Sequence, residues 1–467
     1  MGKRIAIVSI FDLTRVFYEV STALSAAGND IFWITTNNYW TSWLGEKGVL
    51  RGDILELVYS PRDFLDSRTK ETLLQEIVVN ENDADLTINQ IFMMDQFVMR
   101  KNKVDIDEYA YLYYFYMKAF LTRNRITHVI AEPTNTNEMI AYLLCHRLGI
   151  TFVSPCDMRH PPRRLVFFSS YLQEKTIPRH KVEEHVDGKA LLEGFSDRSE
   201  QPPYFHELNK QRILDPMKMM RSIHNRFTRR SLFPRQNLTH HDLSGRIGLL
   251  TRRPINDFVL RRLFRYARLE DEKGAIAYYP LHVQPESSID VLGAYFSDQL
   301  KLIKDIRRAL PFDVTLVVKE HPNFLGTKRL SLFREIRRLP NVKLVRHDIS
   351  SMVLLKRSSI VFSISGTAAL EAGMLGIPTI VFCKLFFGGF SSIHYCSDMT
   401  KLRELAHNVI TNFKRNYEED CEFMEQLVAN SYDAFWSDPI LFPAVLSPDN
   451  VVKLQDAFLS VVTRDPS

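Results

Sequence analysis

Three groups of residues in the second half of the chain have the types and spacing needed to hold an anion. The stretch VTLVVKEHPNF (314–324) ends an apolar run on Lys319-Glu320-His321-Pro322, and SISGTAALEAGMLGIPTIVF (363–382) passes through Ser365-Gly366-Thr367 to Glu371. Proline fixes φ and removes a backbone donor, so it ends the strand and leaves His321 at the mouth of the sheet, where an imidazole can donate to a phosphate oxygen. Gly366 permits close backbone approach, and Thr367 can cap the helix that follows, so hydroxyls and free N–H groups face one spot. Glu371 lies one turn on, among Ala, Leu, Gly and Met; a buried carboxylate there needs a partner, and ribose hydroxyls would supply two donors. The third group, YYPLHVQPESS (278–288), is a polar loop stiffened by two prolines, and it directs His282, Gln284 and Glu286 toward the crevice as contacts for a donor sugar. Each group also has a plain structural reading: a strand-ending His-Pro, an ordinary N-cap and a turn.

In the first half, Glu132 stands just before Pro133 at the end of the run Thr127 to Ala131. A carboxylate facing another domain across a cleft is what general-base or nucleophilic chemistry at a sugar carbon requires. Asp157, with Arg159 and Arg164 close by as anion or acceptor contacts, ends the next run and is the second candidate. Strand-end carboxylates also cap helices, and that reading stays open for both. Asp12 is a weaker candidate of the same kind.

The elements that must position these residues follow from hydrophobic periodicity. A strand at Arg4 to Val8, a helix over 14–27 and a strand at Ile31 to Thr35 predict a parallel sheet. A polar stretch over about 60–105 has helical periodicity and reads as an insertion over the cleft. Strand 127–131, helix 137–148 stopped by Gly149, and strand 151–154 make one β-α-β unit. The second half predicts five strands (275–279, 314–319, 342–345, 360–363, 379–382) separated by helices near 290–309, 327–338, 350–357 and 367–375, a Rossmann-like pattern. Residues 399–467 read as mostly helical. Ligands of such sheets sit beyond the carboxyl ends of the strands, where helix N–H groups attract an anion.

At 467 residues the chain is long enough for two domains of roughly 200 residues. The expected division is 1–240, 241–440 and a helical tail 441–467 that packs back on the first domain. The composition, 45% apolar and 25% charged, is that of an ordinary globular protein. No window reaches the roughly 18 uninterrupted apolar residues of a membrane span, and five cysteines without C-x-x-C spacing suggest neither disulfides nor zinc. A cytoplasmic setting is expected. The net charge of +5 argues against a nucleic-acid partner. Between Lys210 and Gln236, however, eight Lys or Arg face the single acid Asp215, interleaved with apolar residues. That composition suits a peripheral contact with an anionic membrane surface, and equally a solvated linker or an inter-domain face.

The segments YYPLHVQPESS, VVKEHP and SISGTAALEAGMLGIPTIVF resemble the C-terminal domain of bacterial capsule and surface-polysaccharide glycosyltransferases, the group that includes the β-Kdo transferases. The resemblance covers about residues 275–385. It implies the α/β GT-B architecture, two Rossmann-like domains facing across a cleft, and a CMP-activated sugar acid as donor. It also implies that His321 contacts the donor phosphate and that Ser365 and Thr367 at the helix start assist it. A single-phosphate leaving group needs less charge neutralisation than a diphosphate, and helix N–H groups with His321 and Lys319 could supply it without a metal. No Asp-x-Asp stands near a strand end; the DADL at 83–86 falls in the polar helical stretch. No cofactor is therefore expected.

The leading expectation is a metal-independent transferase moving a sugar acid, Kdo first, from CMP to a glycan or glycolipid acceptor at the inner face of the cytoplasmic membrane. The rivals are a GT-B enzyme using a UDP- or GDP-sugar, a CDP-polyol transferase, a sugar-nucleotide epimerase and a non-enzymatic membrane-surface scaffold.

Overall fold

Buried apolar runs that alternate with amphipathic helices build two separate sheets, the first mixed and the second parallel throughout. The computed structural model describes residues 2–58, 65–95, 98, 103–179, 186–197, 252–284, 287–321 and 325–463. The basic segment 210–236, the expected linker near residue 240, Glu286 and Pro322 lie outside the described residues.

The first sheet contains β1 (Arg4–Ser9), β2 (Asp30–Thr35), β3 (Ile54–Glu56), β4 (His128–Ile130), β5 (Thr151–Asp157), β6 (Arg164–Phe168) and the late strand β13 (Tyr432–Asp433). Their order across the sheet is β13-β6-β5-β4-β1-β2-β3. Five neighbouring strands are parallel, with Ile5 opposite both Ile31 and His128, whereas β6 runs antiparallel to both β5 and β13. Strand β1 is buried on both faces, as a parallel sheet covered by helices demands. Helices Ser67–Ala84, Ile88–Met94 and Lys103–Arg123 lie in and beyond the stretch expected to be an insertion. Gly149, at φ +65°, ends the helix Thr136–Leu148 in the left-handed conformation that glycine adopts without strain.

The second sheet contains β7 (Ala275–Pro280), β8 (Val314–Lys319), β9 (Val342–Val345), β10 (Ile360–Ser363), β11 (Thr379–Val381) and β12 (Ile393–Tyr395), ordered β12-β11-β10-β7-β8-β9 and parallel throughout. Five of these six strands match the sequence expectation; β12, half-buried and three residues long, adds an edge. Among the described residues, β3, β6, β12 and the two-residue β13 are the strands that the sequence pattern does not predict.

The last helix, Pro448–Val462, packs on Leu13–Ala26 of the first domain, with Phe458 in one apolar cluster with Phe17, Phe167 and Trp436. Two Rossmann-like domains thus face each other in the GT-B arrangement, joined at the crevice by a contact between His160, after β5, and Glu371, in the helix after β10. Among the described residues no helix is long and apolar enough to cross a membrane.

Candidate active site

The carboxyl ends of β8, β7 and β10 lie side by side, and His321, His282 and Gly366 follow them in that order across the sheet. Two strand spacings, about 10 Å, separate the outer pair of strands. The middle residue ties the row together. Its backbone N–H donates to Gln299 Oε1 at 2.9 Å and its carbonyl accepts from Gln299 Nε2 at 3.2 Å. Its ring Nε2 accepts the Ile364 N–H at 3.0 Å, which requires that nitrogen to be unprotonated. Burial, helped by the nearby charges of Lys328 and His321, pushes the His282 pKa down to about 3, so the ring is neutral and carries its proton on Nδ1.

The reason for glycine at 366 follows from the same ring. A Cβ there would lie 2.9 Å from His282 Cε1 and 3.1 Å from its Nδ1. The close approach that the sequence predicts at Gly366 is therefore made by His282. His282, expected as a sugar contact, is a buried strut between two strand-end loops. Gln284 donates to Asp290 Oδ1 at 3.0 Å and accepts from Gln299 at 3.2 Å, which extends the strut.

Thr367 was expected to cap the helix Thr367–Leu375. It is the first helical residue instead, and Gly366 holds the extended N-cap position with no side-chain cap (φ −77°, ψ 161°). The amide of Gly366 donates back to Ser363 Oγ at 3.2 Å, and Ser365 between them is buried. With no side chain covering it, this helix start keeps backbone N–H groups for another acceptor.

The loop carrying His321 is clamped by a buried ion pair absent from the sequence expectations. Glu320 Oε1 accepts from Lys328 Nζ at 2.8 Å and from the His321 N–H at 2.7 Å, and both charged side chains are buried. Burial holds the Glu320 carboxyl above its ordinary pKa, against the pull of Lys328. Lys319, expected to neutralise a phosphate, turns the other way. Its Nζ donates to Ile349 O at 2.8 Å and Ser351 Oγ at 2.7 Å, because the last residue of β8 alternates away from the crevice toward the loop after β9. Burial lowers its pKa to about 8, while Glu371 and Asp348 pull the other way.

Glu371 is buried, as its neighbours predict, but its partner here comes from the first domain. His160 Nε2 faces Glu371 Oε1 at 3.4 Å, and His160 Nδ1 is buried without a hydrogen-bond partner. His160 sits in the tight β5–β6 turn, where Arg159 (φ +72°) and Arg163 (φ +64°) take left-handed backbone and the His160–Pro161 bond is cis. Asp157 Oδ1 accepts the Arg159 N–H at 3.0 Å and its other oxygen pairs with Arg159 Nη1 at 3.3 Å, so this carboxylate shapes the turn. Arg164 opens β6, in register between Asp433 and Met158.

Glu132 occupies the end of the β4 run. Burial raises its pKa to about 7, against the lowering effect of a Trp436 Nε1–H donated to Oε2 at 3.3 Å and of the Arg159 charge. The neighbouring Glu138 is pushed up to about 8 by burial and accepts the N–H and Oγ1–H of Thr134 at 2.9 Å and the Asn135 N–H at 3.0 Å, so it caps the helix Thr136–Leu148. Asp95 caps the same helix through the Thr136 N–H at 2.9 Å. Glu138 and Asp95 fill the capping positions of that helix, so Glu132 is not one of its caps. Asp12 lies at the N-cap of Leu13–Ala26 and pairs with Arg15 at 3.4 Å.

His160, Lys328 and Trp436 escaped the sequence reading, and Glu320 was named in its strand-end run without a role. The His-Pro-Pro run was the available signal for His160; nothing local marks Lys328 or Trp436. A concavity of about 860 Å³ lined by Arg265, Phe312, Thr315, Arg337 and Lys343 lies at the amino ends of β8 and β9, on the far side of the sheet from these residues.

Residues 193–391 match the model of a family described as capsule polysaccharide biosynthesis protein. That span contains the whole row His282, His321 and Ser365 to Glu371, and it agrees with the resemblance read from the sequence. No curated protein matches the sequence. Among solved structures, the chain is similar to the beta Kdo 2,7 transferase of Thermosulfurimonas dismutans KpsC at 14% identity, covering 74% of this chain and 88% of that one, with a TM-score of 0.34. The beta Kdo 2,4 transferase of the same KpsC aligns at 12% identity over 72% and 87%, with a TM-score of 0.31. A UDP-GlcNAc 2-epimerase from Methanocaldococcus jannaschii aligns at 12% identity over 92% and 98%, with a TM-score of 0.26. These distant likenesses carry no argument about chemistry.

Proposed function

We propose that this chain is a glycosyltransferase of capsule or surface-polysaccharide assembly that moves a sugar acid, Kdo first, from a CMP-activated donor to a glycan or glycolipid acceptor. The observation that carries this reading is the coincidence of the capsule-biosynthesis match with the carboxyl edge of the second sheet, where His321 and the uncapped helix start at Gly366 and Thr367 adjoin the His282 strut. The donor phosphate sits on that edge, held by the imidazole of His321 and the helix amides.

In the reaction, the bond between the anomeric carbon and the phosphate oxygen breaks, and CMP leaves with the bonding electrons. The acceptor oxygen bonds to the anomeric carbon and gives up its proton. Glu132 serves that centre as a carboxylate: in a one-step inverting displacement it takes the acceptor's proton, and in a two-step retaining one it attacks the carbon as CMP leaves, after which the acceptor oxygen breaks the Glu132–carbon bond and its proton passes to the CMP phosphate. A carboxyl with a pKa near 7 is suited to both exchanges at neutral pH. The anomer of the product separates the two courses.

The deciding experiment is a thermal-shift screen with CMP, CDP, UDP and GDP, followed by incubation with CMP-Kdo and a glycan acceptor. Stabilisation by CMP above the others, with a transferred product and undiminished turnover in excess EDTA, supports the reading as written. Preference for UDP or GDP moves the donor class, and a new sugar isomer formed without acceptor makes the protein an epimerase. No nucleotide stabilisation at all overturns the enzyme.

A further inference from the structure

A second surface lies on the flank of the second domain, where the stretch 252–263 meets the loop after β8 through Asn256, whose Nδ2 donates to Gly326 O at 3.2 Å and to Lys328 O at 3.1 Å. The helical stretch 252–263 leads into it and exposes Ile255, Phe258 and Leu263 at 61%, 59% and 66%. Three large apolar side chains on one short stretch is more than scattered surface hydrophobicity requires. Beside them the helix Leu330–Arg338 buries Phe333 and Ile336 and turns Arg334, Arg337 and Arg338 outward. Between the two stretches is a hollow of about 600 Å³ floored by Val259, Leu263, Phe264 and Leu330 and rimmed by Arg265, Arg334, Arg337 and Arg338.

Four arginines of this face carry no ion pair among the described residues. Arg261 is occupied, with Asp257 at 2.9 Å and His347 at 3.1 Å, and Arg337 lies over the Phe264 ring at 5.4 Å. Arg262, Arg265, Arg334 and Arg338 have no acidic partner among the described residues; Glu335 is the exposed acid on the same helix. Unpaired guanidinium groups around an apolar floor repel each other unless an anion joins them. A hydrophilic polyanion would satisfy the charges but leave Ile255, Phe258 and Leu263 in water. A bilayer with anionic phospholipid satisfies both, with phosphates on the arginines and the three side chains in the headgroup and acyl boundary.

We propose that the face formed by residues 255–265 and 334–338 docks this protein on an anionic phospholipid bilayer. The inference stands on this face and does not rest on the transfer reaction. It also differs from the basic segment 210–236, none of whose residues it uses.

The test is cosedimentation of the full chain with vesicles of phosphatidylcholine alone and of phosphatidylcholine with phosphatidylglycerol. Binding should require phosphatidylglycerol and should collapse between 0.1 and 1 M salt, as screening shortens from about 10 to about 3 Å. Arg334→Ala with Arg338→Ala should weaken partitioning by roughly thirtyfold. Phe258→Ser with Leu263→Ser should weaken it at unchanged charge, and dextran sulfate should not substitute for vesicles in a thermal-shift assay. All four side chains are exposed, so both double variants should melt with the parent. Wild-type partitioning by either double variant, or no phosphatidylglycerol-dependent binding by the parent, overturns the proposal. Charge-only dependence with full response to dextran sulfate makes the face a polyanion site and overturns it equally. CMP stabilisation in the same preparation reports on the crevice separately.

Discussion

His160 and Glu371, 211 residues apart in sequence, meet at 3.4 Å in the crevice, and each is buried. The pair joins the β5–β6 turn of one domain to the second turn of a helix in the other. Removing the imidazole leaves Glu371 with Lys319 as its nearby opposite charge. His160→Ala should therefore destabilise the protein to urea by about 1–3 kcal/mol. Glu371→Gln in the His160→Ala background should recover part of that loss, with a coupling of about 1 kcal/mol in the double-mutant cycle. Strict additivity would mean the two side chains are merely adjacent.

Glu132 connects stability to activity with opposite signs. Its carboxyl has a folded pKa of about 7 against an ordinary 4.5, so the folded state holds the proton more tightly. Stability is then greatest below pH 4.5 as far as this group is concerned, and it declines as pH rises from 4.5 to 7. Glu132→Gln should remove that decline and make the protein more stable than the parent at pH 8 by about 1–3 kcal/mol, while abolishing transfer. Melting curves at pH 5 and pH 8 with product assays check both halves.

Trp436 reaches Glu132 from the far end of the chain and lowers its pKa by donating Nε1–H. Phenylalanine keeps the ring and loses the donor. Trp436→Phe should shift the pH–rate limb assigned to Glu132 upward by up to about one unit, with little change in nucleotide affinity measured by calorimetry. An unmoved limb would dissociate the indole from the carboxyl.

At Gly366 the prediction is steric. An alanine methyl would press on the His282 ring, which is held on its other side by the Ile364 amide. Gly366→Ala should cost about 1–3 kcal/mol and weaken CMP binding, because the ring and the helix start shift together. Binding and melting at parental values would show that the ring yields freely.

The Glu320–Lys328 pair gives a further handle on the carboxyl edge of the second sheet. Lys328→Met should leave Glu320 buried without its counter-charge and cost about 3–5 kcal/mol. Glu320→Gln with Lys328→Met should recover most of it, as urea unfolding would show.

Much of this architecture was legible because it depends on local pattern. Strand runs such as IAIV and TLVV, and the Gly149 stop, are statements about neighbours in sequence. The strand-end position of Glu132 was legible because a carboxyl before proline at the close of an apolar run is a local feature. What escaped is set by distance or brevity. β13 has two residues and no periodicity to detect. Lys319 lies on the expected strand, but whether it turns to the crevice or to Ser351 depends on the loop after β9, thirty-two residues on. The fit of His282 against Gly366 joins loops eighty-four positions apart, and glycine alone does not say what approaches it.

The return of the chain to its first sheet has a practical corollary. Strand β13 closes the edge beside β6, and the helix Pro448–Val462 covers Leu13–Ala26, so the amino-terminal domain is completed by residues more than 250 positions farther along the chain than β6. A fragment stopping before residue 430 would have an open antiparallel edge at β6 and a bare apolar helix face, the two features that favour aggregation. To obtain that domain alone, residues 431–463 should be fused back to it through a linker, because truncation removes part of its own core.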